Sequence, residues 1–268
     1  MTAPAFVVQG TEVFVQGQGE QTIVMLHGWP DTHRVWDRTV QVLQGQYRCV
    51  RFTFPGFEGP SVGAARSLDQ ITALLLDIVN KASPNQPVTL LLHDWGCFFG
   101  YEFAARHPQR VARVVGLDIG DATSPDFIRS LTLSQKLMAL FYQIWLAKSW
   151  VLGRFISGAS GDFFTRVMAR LMQCPADPKR IRWFMNFPYA MAWFGLGGGL
   201  RGAQRFKPHC PMLFVYGKRK PLMFHSPKWL EKLNAMPGSK AVGLPTGHWV
   251  MLDQPAEFEA LVLEWLAP

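Results

Sequence analysis

Five short apolar runs bounded by turn residues, Thr22 to Leu26, Tyr47 to Phe54, Pro87 to Leu92, Val111 to Leu117 and Pro211 to Tyr216, restrict the folds open to this chain more than any other feature. Most have the length and composition of a strand buried on both faces of a sheet. Helical patterns separate them. Leu68 to Lys81 sets Leu74, Leu75, Ile78 and Val79 on one face, and Gly96 to Arg106 and Pro255 to Leu266 repeat the effect. Strand and helix in alternation imply a mainly parallel sheet with helices on both faces. Ala5 to Gln9 and Glu12 to Gln16, around Gly10, read as an opening hairpin, a common antiparallel edge for such a sheet.

The alternation stops between about Ala122 and Phe206, where Leu137 to Trp150 and Phe163 to Met172 read as aromatic-rich helices with no strand pattern. Residues 122–206 are therefore expected to form a helical cap inserted into a core built from 1–121 and 207–268, with Gly197, Gly198 and Gly199 as a flexible return. The run Leu137 to Ala147 is strongly apolar, but Lys136 and Lys148 bracket it and it is too short to span a bilayer. Packing against the core is its expected role, so no membrane contact is expected, and a membrane-surface face is the alternative.

With 49% hydrophobic and 17% charged residues, the chain is too apolar for a disordered tail. The 27 Lys and Arg against 19 Asp and Glu leave a net charge of +8, read as spread along the sequence. Its densest clusters, Lys218, Arg219, Lys220 and Lys179, Arg180, Arg182, interleave no aromatics, so no nucleic-acid partner is expected. Cys49, Cys97, Cys174 and Cys210 are scattered without a CxxC pair, which suggests neither a disulfide framework nor a zinc site and fits a cytoplasmic setting. Met1 to Gly10 lacks the basic start and apolar core of an export leader.

Three segments carry candidate chemistry. Pro87 to Cys97 reads as a strand entering a tight turn that opens a helix, which lifts Asp94 out of the carboxyl edge of the sheet. The helix start aims free N–H groups at that point, able to keep a carboxylate ionised and to hold an oxyanion. An Asp there could equally be an ordinary helix cap. His27-Gly28-Trp29-Pro30 follows another strand and can turn backbone N–H groups toward the same edge, and Gly247-His248-Trp249 can bring an imidazole back to Asp94.

In this order the segments resemble the α/β-hydrolase superfamily, and within it the epoxide hydrolase and haloalkane dehalogenase branch, which carries an aspartate where esterases carry serine. No G-x-S-x-G occurs in the chain. The resemblance implies an eight-stranded α/β-hydrolase fold, Asp94 as nucleophile, His248 as base, and the backbone N–H groups of Trp29 and Trp95 as oxyanion donors. Tyr142-Gln143 and the segment Asn186 to Tyr189 resemble the cap segments in which epoxide hydrolases carry two tyrosines, so Tyr142 and Tyr189 are the expected proton donors. His27, Gln143, Trp145, Phe187 and Trp193 are expected in the substrate pocket. The implied partners are a small apolar epoxide and water, with no metal or organic cofactor; the sequence does not set the oligomeric state. A dehalogenase gripping halide through Trp95, Trp145, Trp183 or Trp193, and a non-catalytic binder of apolar ligands, are the alternatives.

Three departures from the pattern matter. Lys220 stands where the acid that orients the base is usual, so Asp118, at the end of the strand before the cap, is the candidate acid and Asp121 the fallback. Leu92 replaces a glycine of the turn before Asp94, and Phe54-Pro-Gly-Phe57 replaces a usual loop and is expected to alter the pocket wall.

Overall fold

A computed structural model describes residues 3–58 and 66–267. Positions 1 and 2 of the segment inspected for a leader, and 59–65 and 268 of the expected core, lie outside the described residues. One sheet contains β1 (Phe6–Val8), β2 (Thr11–Gln16), β3 (Thr22–Leu26), β4 (Arg48–Phe52), β5 (Val88–His93), β6 (Val111–Leu117), β7 (Met212–Gly217) and β8 (Lys240–Leu244), in the order β1-β2-β4-β3-β5-β6-β7-β8. The first two pairings are antiparallel and the other five parallel. The chain therefore has an α/β-hydrolase fold with a mostly parallel eight-stranded sheet.

Every residue of β3 and β5 is buried, because helices cover both faces. On one face Val24, Leu26, Leu90 and Phe214 pack under α2 (Leu68–Ala82) and α3 (Trp95–Arg106). On the other, Ile23, Met25, Leu91 and Val215 pack under α1 (Asp37–Leu43) and, near the end of the chain, under a helix at Pro255–Leu266. Alternate residues of one strand thus feed two cores, which explains their unbroken apolar runs. Ser67 starts α2 with a capping box to Gln70.

Between β6 and β7 the described residues form helices and no strand: α4 (Pro125–Ser130), α5 (Leu133–Phe155), α6 (Gly158–Leu171) and α7 (Phe187–Phe194). The Thr132 and Gln135 capping box starts α5 four residues before the expected Leu137. The chain then continues through β7, α8 (Pro227–Asn234), β8, α9 (Val250–Asp253) and α10 (Pro255–Leu266). No helix of the described residues is long and apolar enough to cross a membrane.

The leucine at the turn is accommodated from α3. A Cβ at Gly100 would lie 2.4 Å from Leu92 Cδ2, so the glycine missing before Asp94 is matched by one on the facing helix. Gly100→Val is expected to destabilise the fold by about 1–3 kcal/mol through overpacking. In a Leu92→Ala background the same change should cost much less; urea unfolding of the two single variants and the double variant measures this coupling, and strict additivity would contradict it.

Candidate active site

Strand β5 ends at His93 and α3 starts at Trp95, so the chain reverses within one residue. That residue, Asp94, takes φ 52° and ψ −122°, a conformation that costs a non-glycine residue about 1–3 kcal/mol. The turn after β3 reaches the same point. Trp29 N–H donates to Asp94 Oδ1 at 2.7 Å. This approach requires Gly28, where a Cβ would sit 2.3 Å from the Asp94 side chain. Burial raises the Asp94 pKa, but the hydrogen bond and charge of His248, then His93 and Trp29 N–H, outweigh it and leave the carboxyl below its ordinary value.

His248, in the loop before α9, faces Asp94 with Nε2 3.5 Å from Oδ2. Its Nδ1 lies 2.5 Å from Asp118 Oδ2, so Nδ1–H donates to Asp118 and Nε2 is left toward Asp94. Asp118, at the end of β6, is fully buried with φ 68°. Its Oδ1 accepts Lys220 Nζ at 2.6 Å and Gly217 N–H at 3.0 Å. Burial opposes the Asp118 charge, but Lys220 and His248 overcome it and bring the pKa to about 2. Burial lowers His248, whereas Asp118, then Asp94, raise it to about 9. The lysine that replaces the usual acid therefore pairs with Asp118, leaving it one oxygen for the imidazole.

These groups open onto a cavity of about 680 Å³, whose wall includes Tyr142 of α5 and Tyr189 of α7. The two phenol rings meet edge-on at 6.2 Å, and Tyr189 stands edge-on to Trp29 at 5.9 Å and to Trp95 at 5.2 Å. Burial, then the Asp94 charge, pushes Tyr189 well up and keeps it protonated. For Tyr142 burial again leads, Gln143 opposes it, and Asp94 adds to the rise. Met138, Met168, Met172, Leu222 and Phe224 supply apolar wall. The Trp29 indole donates to Asn186 Oδ1 at 2.7 Å, and Asn186 Nδ2 donates to Thr165 of α6 at 2.7 Å, which locks the helical segment over the turn after β3.

The five expected pocket residues lie elsewhere. His27 is buried, accepting Phe54 N–H at Nε2 and donating to Gly28 O, with its pKa lowered by burial to about 4. Phe187 packs against Phe57 in the core, so the Phe54 to Phe57 loop supports the turn instead of forming the wall. Gln143 bridges the Tyr142 hydroxyl and the Trp193 indole, behind the cavity surface. Trp145 gives its indole N–H to Phe164 O and lines a separate surface groove. Aromatic content alone could not tell these environments apart. Asp121 receives Ser226 N–H and the Ser226 and Ser124 hydroxyls, a structural clamp away from the imidazole.

Sequence reasoning did not single out Asp31 or His93. Asp31 accepts the Trp249 indole at 2.9 Å, and burial raises its pKa to about 7. His93 lies tilted against His248 with ring centroids 4.6 Å apart, and burial lowers its pKa to about 3. Their positions beside Pro30 and Asp94 were the available signal. Among the described residues no three His, Cys, Asp or Glu side chains converge as a metal site would require.

The elevated His248 pKa fixes a direction of pH dependence. Stability contributed by protonated His248 is fully present below pH 6.5, its ordinary value, and is lost as pH rises through about 9. Asp94→Asn removes one carboxylate from the pair, so the imidazole should titrate at lower pH and the alkaline loss should shrink. NMR titration of His248 in both proteins measures the shift; coincident midpoints would show that the Asp94 charge is not felt.

Comparison with known proteins agrees with this architecture. A family model described as "Alpha/beta hydrolase family" matches residues 23–261. A protein of Mycobacterium tuberculosis named probable oxidoreductase EphD is 30% identical over 125 residues, 44% of this chain and 21% of its own length. The cis-3-alkyl-4-alkyloxetan-2-one decarboxylase of Shewanella oneidensis is 30% identical over 119 residues, 41% of this chain and 36% of its own. Epoxide hydrolase B of Mycobacterium tuberculosis is 30% identical over 100 residues, 36% of this chain and 28% of its own. The chain thus spans about a fifth to a third of these curated relatives. The crystal structure of an epoxide hydrolase from Bacillus megaterium superposes with a TM-score of 0.66 at 20% identity, over 96% of each chain. With a family model covering most of its length and the same fold in solved relatives, this chain belongs to the alpha/beta hydrolase family.

Proposed function

We propose that the protein is an epoxide hydrolase that opens a small apolar epoxide to a diol through an ester on Asp94. The observation that carries this reading is the union, in one cavity, of a carboxylate already bound by a backbone N–H, an imidazole backed by a second carboxylate, and two phenols, one buried and one partly buried. Asp94 Oδ1 occupies the donor site of Trp29, so Oδ2 is the oxygen that attacks. A bond forms from Oδ2 to an epoxide carbon as the ring C–O bond breaks, and the departing oxygen takes a proton from Tyr142 or Tyr189.

Alkylation then changes the base. In the free protein Asp94 raises the His248 pKa; once esterified it is neutral, and that support is lost. His248 releases its proton, which returns through solvent to the phenolate left by ring opening, and can then accept one from water, whose oxygen attacks the ester carbonyl carbon. The charge gathers on Oδ1, where Trp29 N–H already points and Trp95 N–H opens α3. Collapse frees the diol and restores Asp94. As the ester C–O bond breaks, His248 gives the departing alkoxide the proton it took from water, and the carboxylic acid left on Asp94 returns a proton to His248.

The cavity suits an aromatic or long aliphatic substrate. Of the tryptophans a dehalogenase could use, Trp145 and Trp193 have their indole N–H groups bonded to Phe164 O and Gln143, while Trp95 stands against Tyr189 at the site and suits either reaction. A non-catalytic role draws its support from Lys220 and Leu92; the first pairs with Asp118 and the second fits against Gly100. A cytoplasmic setting belongs to the same proposal, supported by four free cysteines.

His248→Gln is expected to form the ester and fail to hydrolyse it. Intact-protein mass spectrometry after exposure to a styrene-type epoxide should show one added substrate mass, absent in Asp94→Ala; an unchanged mass would remove the covalent scheme. Tyr142→Phe with Tyr189→Phe should lower diol formation by about 10²–10⁴-fold, read by product analysis, since proton donation to the alkoxide is lost. Retained turnover would show that the proton donors lie elsewhere.

A further inference from the structure

Two features of the helical segment between β6 and β7 have no part in this chemistry. The first is charge. The basic excess is not spread along the chain: residues 122–206 hold eleven Lys or Arg against three Asp and no Glu. The rest of the chain holds sixteen of each sign, so the whole net charge of +8 lies on this segment. Lys136, Lys148, Arg154 and Arg170 stand exposed on α5 and α6, without a carboxylate partner among the described residues.

The second is an apolar surface that none of the described residues covers. Along α5, Leu133, Leu137, Leu140 and Phe141 are exposed at helical spacing, and Phe155 and Ile156 end the stripe at 72% and 78% exposure. Trp145 joins the stripe to α6, with its ring 5.6 Å from Phe141 and 5.6 Å from Phe164. Between the helices lies a groove of about 420 Å³ with Trp145, Leu152, Ile156, Phe164 and Phe194 in its wall and Lys148 beside them. Phe141 also lines the catalytic cavity, so this face runs to the cavity mouth.

Contiguous apolar surface of this kind on a soluble protein marks a binding face. A second copy docking by two-fold symmetry would set one +8 segment against another, an electrostatic opposition that also closes the mouth. An acidic lipid surface fits both features: the apolar side chains enter the acyl boundary and the basic ones meet the headgroups. We propose that this face of α5, α6 and α7 docks the protein on an anionic phospholipid bilayer, with the mouth of the catalytic cavity toward the lipid. The docked protein then takes apolar substrate directly from the membrane. The docking rests on the surface alone and holds whatever reaction the cavity performs.

Co-sedimentation of the full chain with phosphatidylcholine vesicles, and with vesicles of phosphatidylcholine mixed with phosphatidylglycerol, tests this. Binding is expected to be at least ~10-fold stronger to the mixed vesicles and to fall with added salt. Lys148→Gln with Arg154→Gln should weaken it by about five-fold per cation. Phe163 is exposed on α6 with its ring against Phe164, so Phe155→Ser with Phe163→Ser should weaken binding while leaving the circular dichroism spectrum intact; should that variant unfold, the Gln pair and the two vesicle types decide. Absence of binding, or equal binding to the two vesicle types, overturns the proposal. So does a dimer in lipid-free sedimentation velocity that Phe155→Ser with Phe163→Ser dissolves.

Discussion

The site depends on one contact, the hydrogen bond from Trp29 N–H to Asp94 Oδ1. It exists because β3 and β5 are parallel neighbours, paired from Ile23 with Thr89 to Leu26 with Leu92, so that their carboxyl ends reach the same edge together. Asp94 must adopt a costly backbone conformation to meet it, and two glycines make room: Gly28 for the approach of the turn, Gly100 for the side chain of Leu92. The strain is borne by the most completely buried part of the sheet, where surrounding packing overdetermines the geometry.

Charge at the site is organised around Asp118. A fully buried carboxylate is costly unless its oxygens are satisfied, and here Lys220 and Gly217 N–H occupy one oxygen while His248 occupies the other. The Lys220 charge, together with His248, overcomes burial and keeps the acid ionised. His248 also faces Asp94, with Nε2 3.5 Å from Oδ2, so it feels Asp94 as well as Asp118. Its basicity is thus open to change when Asp94 is neutralised.

Much of the fold was legible because burial on both faces leaves an unmistakable record. The runs at Thr22–Leu26 and Val111–Leu117 coincide with β3 and β6. Strand β8 left no such record: it is an edge strand, half-exposed, with Gly243 inside it, and it was counted only through the family resemblance. Short helices such as α1 and α8 went unread for a similar reason, being two turns long and partly exposed. Asp94, His248 and Trp29 could be placed near one another because chain order and strand ends fix where they emerge. The cavity wall could not be read, since an aromatic residue records apolar surroundings without saying whether they are core, groove or cavity. Lys220 was read as a missing acid; its pairing follows only when β6 and β7 are seen side by side.

Trp29 also ties the helical segment to the chemistry. Its backbone faces Asp94 while its indole is held by Asn186, and Asn186 is held in turn by Thr165. Asn186 has no exposure to solvent, so these bonds lack competition from water and a shift of α6 or α7 would strain both at once. The same helices carry Tyr189 over Asp94 and the apolar face toward solvent. Whatever presses on that outer face therefore acts on elements that reach the turn after β3 through two short bonds. The position of the phenols relative to the carboxylate and the direction of the Trp29 N–H are set by a single packed unit, so the segment cannot be a passive cover over a finished site.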